Sequence, residues 1–229
     1  EFRGRAIQNR TVKKYLEVVS TVLQDAKRNE IIPYNAVHRA RIPTEPNRRQ
    51  TIPTISEMSR LMELIIQEPL VYRVYYTLAL TTGCRRGELC ALRWGDIQGN
   101  LLCVSKSRSR VQGVGIVETD TKNHRTRYVS LYNGMVQLLE ELFYEKCRDQ
   151  FDLYGNLISQ GDPPDKTDFI FTEDKRPIQP DTFTHRLHRI YKRGGFSPEY
   201  HLHTMRHFYA SYLLNNGVSN KVTADLLGH

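Results

Sequence analysis

Apolar residues recur at helical spacing along most of this chain, and the pattern changes character only once, near the middle. Over residues 10–29, Val12, Leu16, Val19 and Leu23 form one stripe with Lys13, Lys14, Lys27 and Arg28 around it. That pattern predicts an amphipathic helix, closed off by Pro33. Thr54 and Ser56 offer a cap before a helix over Glu57–Gln67. Val71–Leu80 is apolar nearly all round and reads as a buried helix broken by Gly83, with a shorter helix running on through Leu92. Leu101–Ser105, Val111–Thr119 and Arg127–Leu131 are instead β-branched or alternating, separated by Gly, Asp and Asn. They predict a small three-stranded antiparallel sheet. Helical spacing returns at Gly134–Cys147, at Pro180–Lys192 with Phe183, Leu187 and Ile190 inward, and from Ser197-Pro198 to Asn216. Tyr209 and Tyr212 read as core positions of that last stretch. Ser219 then caps a final helix ending at Gly228. The expected class is α+β, mainly α-helical with one small sheet.

Composition divides the chain. Residues 43–51 are polar and proline-punctuated and read as a linker, leaving a piece at 1–42 and a body at 52–229. The first piece is too short to be a stable domain alone and reads as the end of a larger helical module. Of a net charge of +8, most sits in residues 1–50, where eleven Lys and Arg face five Asp and Glu. That imbalance fits either an element that tracks phosphates or an ordinary solvated basic helix. Cys84, Cys90, Cys103 and Cys147 show neither Cys-x-x-Cys spacing nor the density of a disulfide framework, so a reducing, cytoplasmic setting is expected. No apolar run approaches the roughly 20 residues a membrane span needs. The chain starts at Glu1 and stops at His229 inside what reads as a helix end, so a piece of a longer protein is expected.

Three basic clusters carry the candidate chemistry. In Thr82-Gly83-Cys84-Arg85-Arg86-Gly87-Glu88-Leu89, Gly83 lets the backbone turn and Arg85 falls in the first turn of the next helix. Free N–H groups and the helix dipole suit an anion there, and Glu88 on the same face can hold the guanidinium. A surface arginine with a helical glutamate partner would read the same way. Thr121-Lys122-Asn123-His124-Arg125 lies between predicted strands, where a hairpin either drives a lysine into a groove or leaves it solvated. In His201-Leu202-His203-Thr204-Met205-Arg206-His207, His203 and Arg206 are helical neighbours, and like charges so close favour an anion between them, most simply a phosphate. His203 and His207 also have zinc-ligand spacing, but the cluster holds no carboxylate and Arg206 repels a divalent cation.

Together these stretches resemble the tyrosine recombinase (phage integrase) family. Thr82-Gly83-x-Arg85-x-x-Glu88-Leu89 with Ala91-Leu92-Arg93-Trp94-x-Asp96 is similar to its first arginine motif. Thr121-Lys122 ahead of Arg127-Tyr128-Val129 is similar to its hairpin lysine, and His203-x-x-Arg206-His207 to its His-x-x-Arg box. Leu226-Leu227-Gly228-His229 is similar to the segment bringing its second histidine. The four stand in family order over residues 51–229, and residues 10–42 resemble the end of the family's helical core-binding domain. The wording is nearest to integrases of phages and conjugative transposons.

The resemblance implies a chemistry in which a tyrosine attacks a backbone phosphate, forms a 3′-phosphotyrosine and releases a 5′-hydroxyl, with neither metal nor cofactor. It implies that Arg85 and Arg206 clamp the non-bridging oxygens, Lys122 protonates the leaving oxygen, His203 handles the proton of the nucleophile, His229 hydrogen-bonds the phosphate and Glu88 supports Arg85. In the family the nucleophile follows the Gly-His pair by about nine residues, a little over two turns at ~3.6 residues each. All thirteen tyrosines here lie upstream of His229, so no nucleophile is assigned and the chain as given is expected not to cleave. Double-stranded DNA is the implied partner, gripped by Arg10, Lys13, Lys14, Arg39, Arg41, Arg48, Arg49, Lys106, Arg108 and Arg110 in a clamp between two domains. A homotetramer or dimer on recombining sites, with accessory DNA-bending proteins, is also implied. Alternatives are a type IB topoisomerase, a DNA-binding regulator without catalysis, and a zinc-dependent nuclease.

Overall fold

Helix α1, Asn9–Arg28, is the first element among the described residues, followed by a 3-10 turn at Ala36–Arg39. In this computed structural model the described residues are 7, 9–40, 51–121, 125–148, 150–151, 157–159 and 162–228. The chain divides into two units, Glu1–Gln50 and Thr51–His229. Within the first, Asn35 is buried and donates to the Ser20 carbonyl at 3.1 Å, pinning the turn onto α1. A single helix has little to pack against, and Val12, Leu16 and Leu23 are only half-buried while Val19 is exposed.

The second unit is built around α3, Leu70–Thr82, which is buried on nearly every side as its all-round apolarity predicts. Ahead of it, α2 (Ile55–Ile66) starts at a reciprocal cap between Thr54 and Glu57 and turns Met58, Leu61 and Ile65 inward. After Gly83 come the short α4, Arg86–Ala91, and a 3-10 turn at Trp94–Asp96. The β region follows, with β1 Ile97–Gln98, β2 Leu101–Val104, β3 Lys106–Val111, β4 Gly115–Asp120 and β5 Arg127–Ser130. Helix α5, Asn133–Lys146, comes next. Two small antiparallel pairs follow, β6 Gln150–Phe151 with β7 Leu157–Ser159 and β8 Thr172–Glu173 with β9 Arg176–Pro177. The chain ends in α6 (Pro180–Arg193), α7 (Leu202–Asn215) and α8 (Asn220–Leu227). Phe183 of α6 stacks on Tyr75 of α3 with centroids 3.6 Å apart, and the buried Tyr76 hydroxyl donates to the Phe183 carbonyl at 2.8 Å. Fully burying a large apolar side chain contributes roughly 1.5–3 kcal/mol, and the Tyr75 and Phe183 rings are both wholly buried here. No helix among the described residues is long and apolar enough to cross a membrane.

The α+β class stands, but the sheet has different members from those expected. The three-stranded antiparallel sheet runs β1-β2-β5, while the segment after Val111 pairs only with β3 in a separate hairpin. Strand β3 alternates Lys, Ser and Arg, so it carries no apolar period to announce it. Helix α7 starts at Leu202, not at Ser197-Pro198, because Thr204 and His201 cap each other there and Tyr200 is held back by its hydroxyl bond to Glu57 at 3.1 Å. Tyr212 is 48% exposed and is not a core residue.

Candidate active site

Gly83 ends α3 in the left-handed region, with φ 62°. A Cβ there would also sit 2.6 Å from Tyr209 Cδ1 and 2.7 Å from Leu227 Cδ2, so only glycine lets α7 and the end of α8 close on this turn. Into that junction α7 sends Arg206, which is 3% exposed. It donates to the Gly83 carbonyl at 2.8 Å and the Leu227 carbonyl at 2.6 Å. Arg85, the residue before α4, donates to Glu88 Oε1 at 2.8 Å and to the Gly228 carbonyl at 3.2 Å. Two arginines 121 positions apart in sequence therefore meet at the same two segments, the Gly83 turn and the C-terminus of α8.

A third guanidinium, which the sequence reading did not single out, completes the cluster. Arg127 of β5 donates to both oxygens of Glu88, at 2.6 and 3.2 Å, and from Nε to the Leu226 carbonyl at 2.9 Å. The signal for it was strand alternation. Arg127 shares the inward face with Val129, while Tyr128 and Ser130 point outward, and an arginine at an inward position needs a buried partner.

The electrostatics follow from three cations around one carboxylate. Burial works against the Glu88 charge, yet its bonds to Arg127 and Arg85 prevail and its pKa lies below the usual carboxylate range. Burial and then the charge of Arg85 pull Arg206 down to about 10. His203, one turn before Arg206, is drawn down to about 4 by partial burial, then by His207, Arg206, His201 and Arg85. The His203 and His207 rings meet edge-on, 4.7 Å between centroids. A cleft of about 200 Å³ opens beside the cluster, lined by Cys84, Arg85, Arg86, Thr184, His201, Leu202 and His203. The site combines excess positive charge with a neutral imidazole and an opening, an arrangement suited to a phosphodiester. A larger cleft of about 510 Å³, with Trp94, Lys146 and Glu173 in its walls, holds none of these residues.

Arg85, Glu88, His203 and Arg206 thus come together. Lys122 and His229 lie outside the described residues, as do Arg41, Arg48, Arg49 and the Arg10 side chain. On either side of the undescribed residues 122–124, the Thr121 hydroxyl donates to the Arg125 carbonyl at 2.8 Å. The β3–β4 hairpin that precedes them packs on α4, where Gly87 leaves room for the Arg108 carbonyl 2.8 Å from a would-be Cβ. Of the basic residues expected to grip DNA, Lys106 pairs with Asp120 at 2.8 Å and Arg110 with Asp181 at 3.8 Å. Arg108 lies over the Phe169 ring at 4.4 Å. In the first unit, Lys13 and Lys14 are exposed and Arg39 lies over Tyr34 at 4.6 Å.

Residues 53–229 match the sequence profile described as the phage integrase family. The ICEBs1 integrase of Bacillus subtilis (strain 168) is 26% identical over 225 residues, covering 97% of this chain and 59% of that protein. The chain therefore spans about three-fifths of that relative's length. Among solved structures, the Tn1549 transposon integrase in complex with a circular intermediate DNA superposes with a TM-score of 0.76 at 19% identity, covering 99% of this chain and 73% of that one. A lambda integrase tetramer bound to a Holliday junction superposes with a TM-score of 0.61 at 21% identity, covering 93% and 56%. These two likenesses establish a shared fold.

Proposed function

Because the chain belongs to the phage integrase family, we propose that the full protein is a site-specific recombinase of a mobile element, cutting and rejoining double-stranded DNA through a 3′-phosphotyrosine. The observation that carries this reading is the meeting of Arg85 and Arg206 at the Gly83 turn, beside a cleft that His203 also lines. Their present acceptors at the end of α8 are neutral carbonyls. A phosphate oxygen carries charge and matches the guanidinium fork, so it is the better acceptor for both arginines.

In the proposed reaction a tyrosine beyond His229 attacks the phosphorus, forming the Tyr–O–P bond as the P–O5′ bond breaks. His203, neutral at physiological pH, takes the tyrosine proton, and Lys122 delivers one to the departing 5′ oxygen. Arg85 and Arg206 bear the charge that builds on the two non-bridging oxygens, and His229 adds a hydrogen bond. The phosphodiester energy is kept in the protein–DNA bond, so the scheme needs no nucleotide hydrolysis. The lambda integrase tetramer on a Holliday junction supports a homotetramer, or a dimer on a single site, for this protein. Accessory DNA-bending proteins and a cytoplasmic location complete the proposal.

The test uses the full-length protein and a nicked suicide duplex built on the site it selects from a random-sequence pool. Arg206→Ala is expected to lower covalent-complex formation by on the order of 10²–10³-fold, the usual cost of removing one transition-state donor. Duplex affinity should fall only modestly. A variant that cleaves at the parental rate removes Arg206 from the scheme. Strand exchange between two sites separates a recombinase from a topoisomerase, which would only relax supercoils.

A further inference from the structure

Arg127 has no part in the reaction just described, yet its side chain is fully engaged. Its side chain is 9% exposed, and all three of its nitrogens are engaged. One edge of the guanidinium grips Glu88, the carboxylate that also receives the Arg85 side chain at Oε1 and the Arg85 backbone N–H at Oε2. Nε holds the Leu226 carbonyl, and a Cβ on Gly228 would lie 2.9 Å from Arg127 Nη1. A single rigid plane therefore spans from the residue that aims Arg85 to the backbone just before His229.

Stability alone is a poor explanation for this arrangement. Burying a carboxylate between guanidiniums costs desolvation that well-packed apolar residues would avoid. Arg127 also adds a third cation to a site where Arg85 and Arg206 already oppose each other. What the arrangement supplies is a fixed distance. Lysine could carry the same charge but not the planar fork with a separate third donor.

We propose that Arg127 is a positioning residue for the strand-cleavage reaction, setting the separation between Arg85 and the C-terminal end of α8. It acts through Glu88 on one side and the end of α8 on the other. The inference rests on the recombinase reading above and assigns that site a further working part. Loss of the link should let Arg85 and the C-terminal segment drift apart, and a misplacement of ~1 Å typically costs on the order of a hundredfold in rate.

The experiment measures single-turnover cleavage of the same suicide duplex at saturating DNA, with duplex affinity and thermal midpoint recorded for each full-length variant. Arg127→Lys should lose about a hundredfold in cleavage rate while affinity and midpoint stay close to parental. In a Glu88→Gln background, Arg127→Gln should cost little more, because both changes cut one link and their effects are not additive. Arg127→Lys cleaving at the parental rate overturns the proposal, as does a parallel decline of rate, affinity and midpoint. If Arg127→Lys does not fold, the neutral pair Arg127→Gln with Glu88→Gln takes its place, and its failure to fold assigns Arg127 to stability and ends the proposal. The parental protein and Arg206→Ala separate the two readings. If the parental protein forms no covalent complex with duplex DNA, the recombinase scheme itself falls; if it cleaves and Arg206→Ala is dead while Arg127→Lys is fully active, only Arg127 is wrongly placed.

Discussion

At the scale of single residues, the site is a set of charges held by opposing forces. His203 shows this most directly, since its surroundings pull its pKa from 6.5 to about 4. Folding thus favours the neutral imidazole. Its contribution to stability is whole above pH 6.5 and is lost as pH falls through 6.5 toward 4, because the unfolded chain takes up the proton first. Thermal melts at about pH 7 and about pH 5 should show a lower midpoint in acid, and His203→Asn should narrow the gap. A gap of unchanged width in the variant places the acid sensitivity elsewhere. The same shift keeps His203 unprotonated at neutral pH, and the anionic phosphate of a bound duplex would act against it, raising the basicity a proton acceptor needs.

At the scale of elements, several helix ends of the second unit are set by local chemistry. Helix α2 is the clearest case, with the Thr54 hydroxyl accepting from the Glu57 N–H at 3.2 Å and the Glu57 carboxylate accepting from the Thr54 N–H at 2.8 Å. Thr54→Ala should destabilise the protein by about 1 kcal/mol in urea unfolding. Cleavage by the full-length protein at permissive temperature should not change; a loss there would mean that α2 does more than support the core. The β3–β4 hairpin is the opposite case. Its strands have no apolar period, and it is placed by close packing on α4 at Gly87, by Arg108 on the Phe169 ring at 4.4 Å and by the ion pair of Glu118 with Arg93 at 3.1 Å. Those contacts come from segments that sequence periodicity cannot relate to one another.

At the scale of the whole molecule, the uneven charge bears most on partners. Eleven Lys and Arg in residues 1–50 form a basic stretch, with Lys13 and Lys14 exposed on α1. If these track DNA phosphates, log affinity should fall linearly with log salt, by roughly 0.9 for each phosphate neutralised. Lys13→Ala with Lys14→Ala should then flatten the slope by about 1–2 and weaken all duplex sequences alike. A slope identical to the parent's assigns both lysines to a solvated face. The basic residues of the hairpin differ in kind, since Lys106 and Arg110 already face Asp120 and Asp181. DNA would have to compete with those carboxylates.

The amino-acid sequence was sufficient for whatever depends on near neighbours. Helix periodicity, the caps at Thr54 and Ser219, the stop at Gly83, and the motifs holding Arg85, Glu88, His203 and Arg206 are all patterns a few residues long. Strand alternation faced Arg127 inward, but its role was not legible, because its partners Glu88 and Leu226 lie 39 and 99 positions away. Nor was the true membership of the sheet, since which strands pair depends on contacts between distant segments and on a hairpin without an apolar face. Local hydrogen bonds and side-chain periods act over one or two turns of chain. A carboxylate shared by two arginines, and three consecutive carbonyls each held by a different guanidinium, exist only after the core has brought α4, β5, α7 and α8 together.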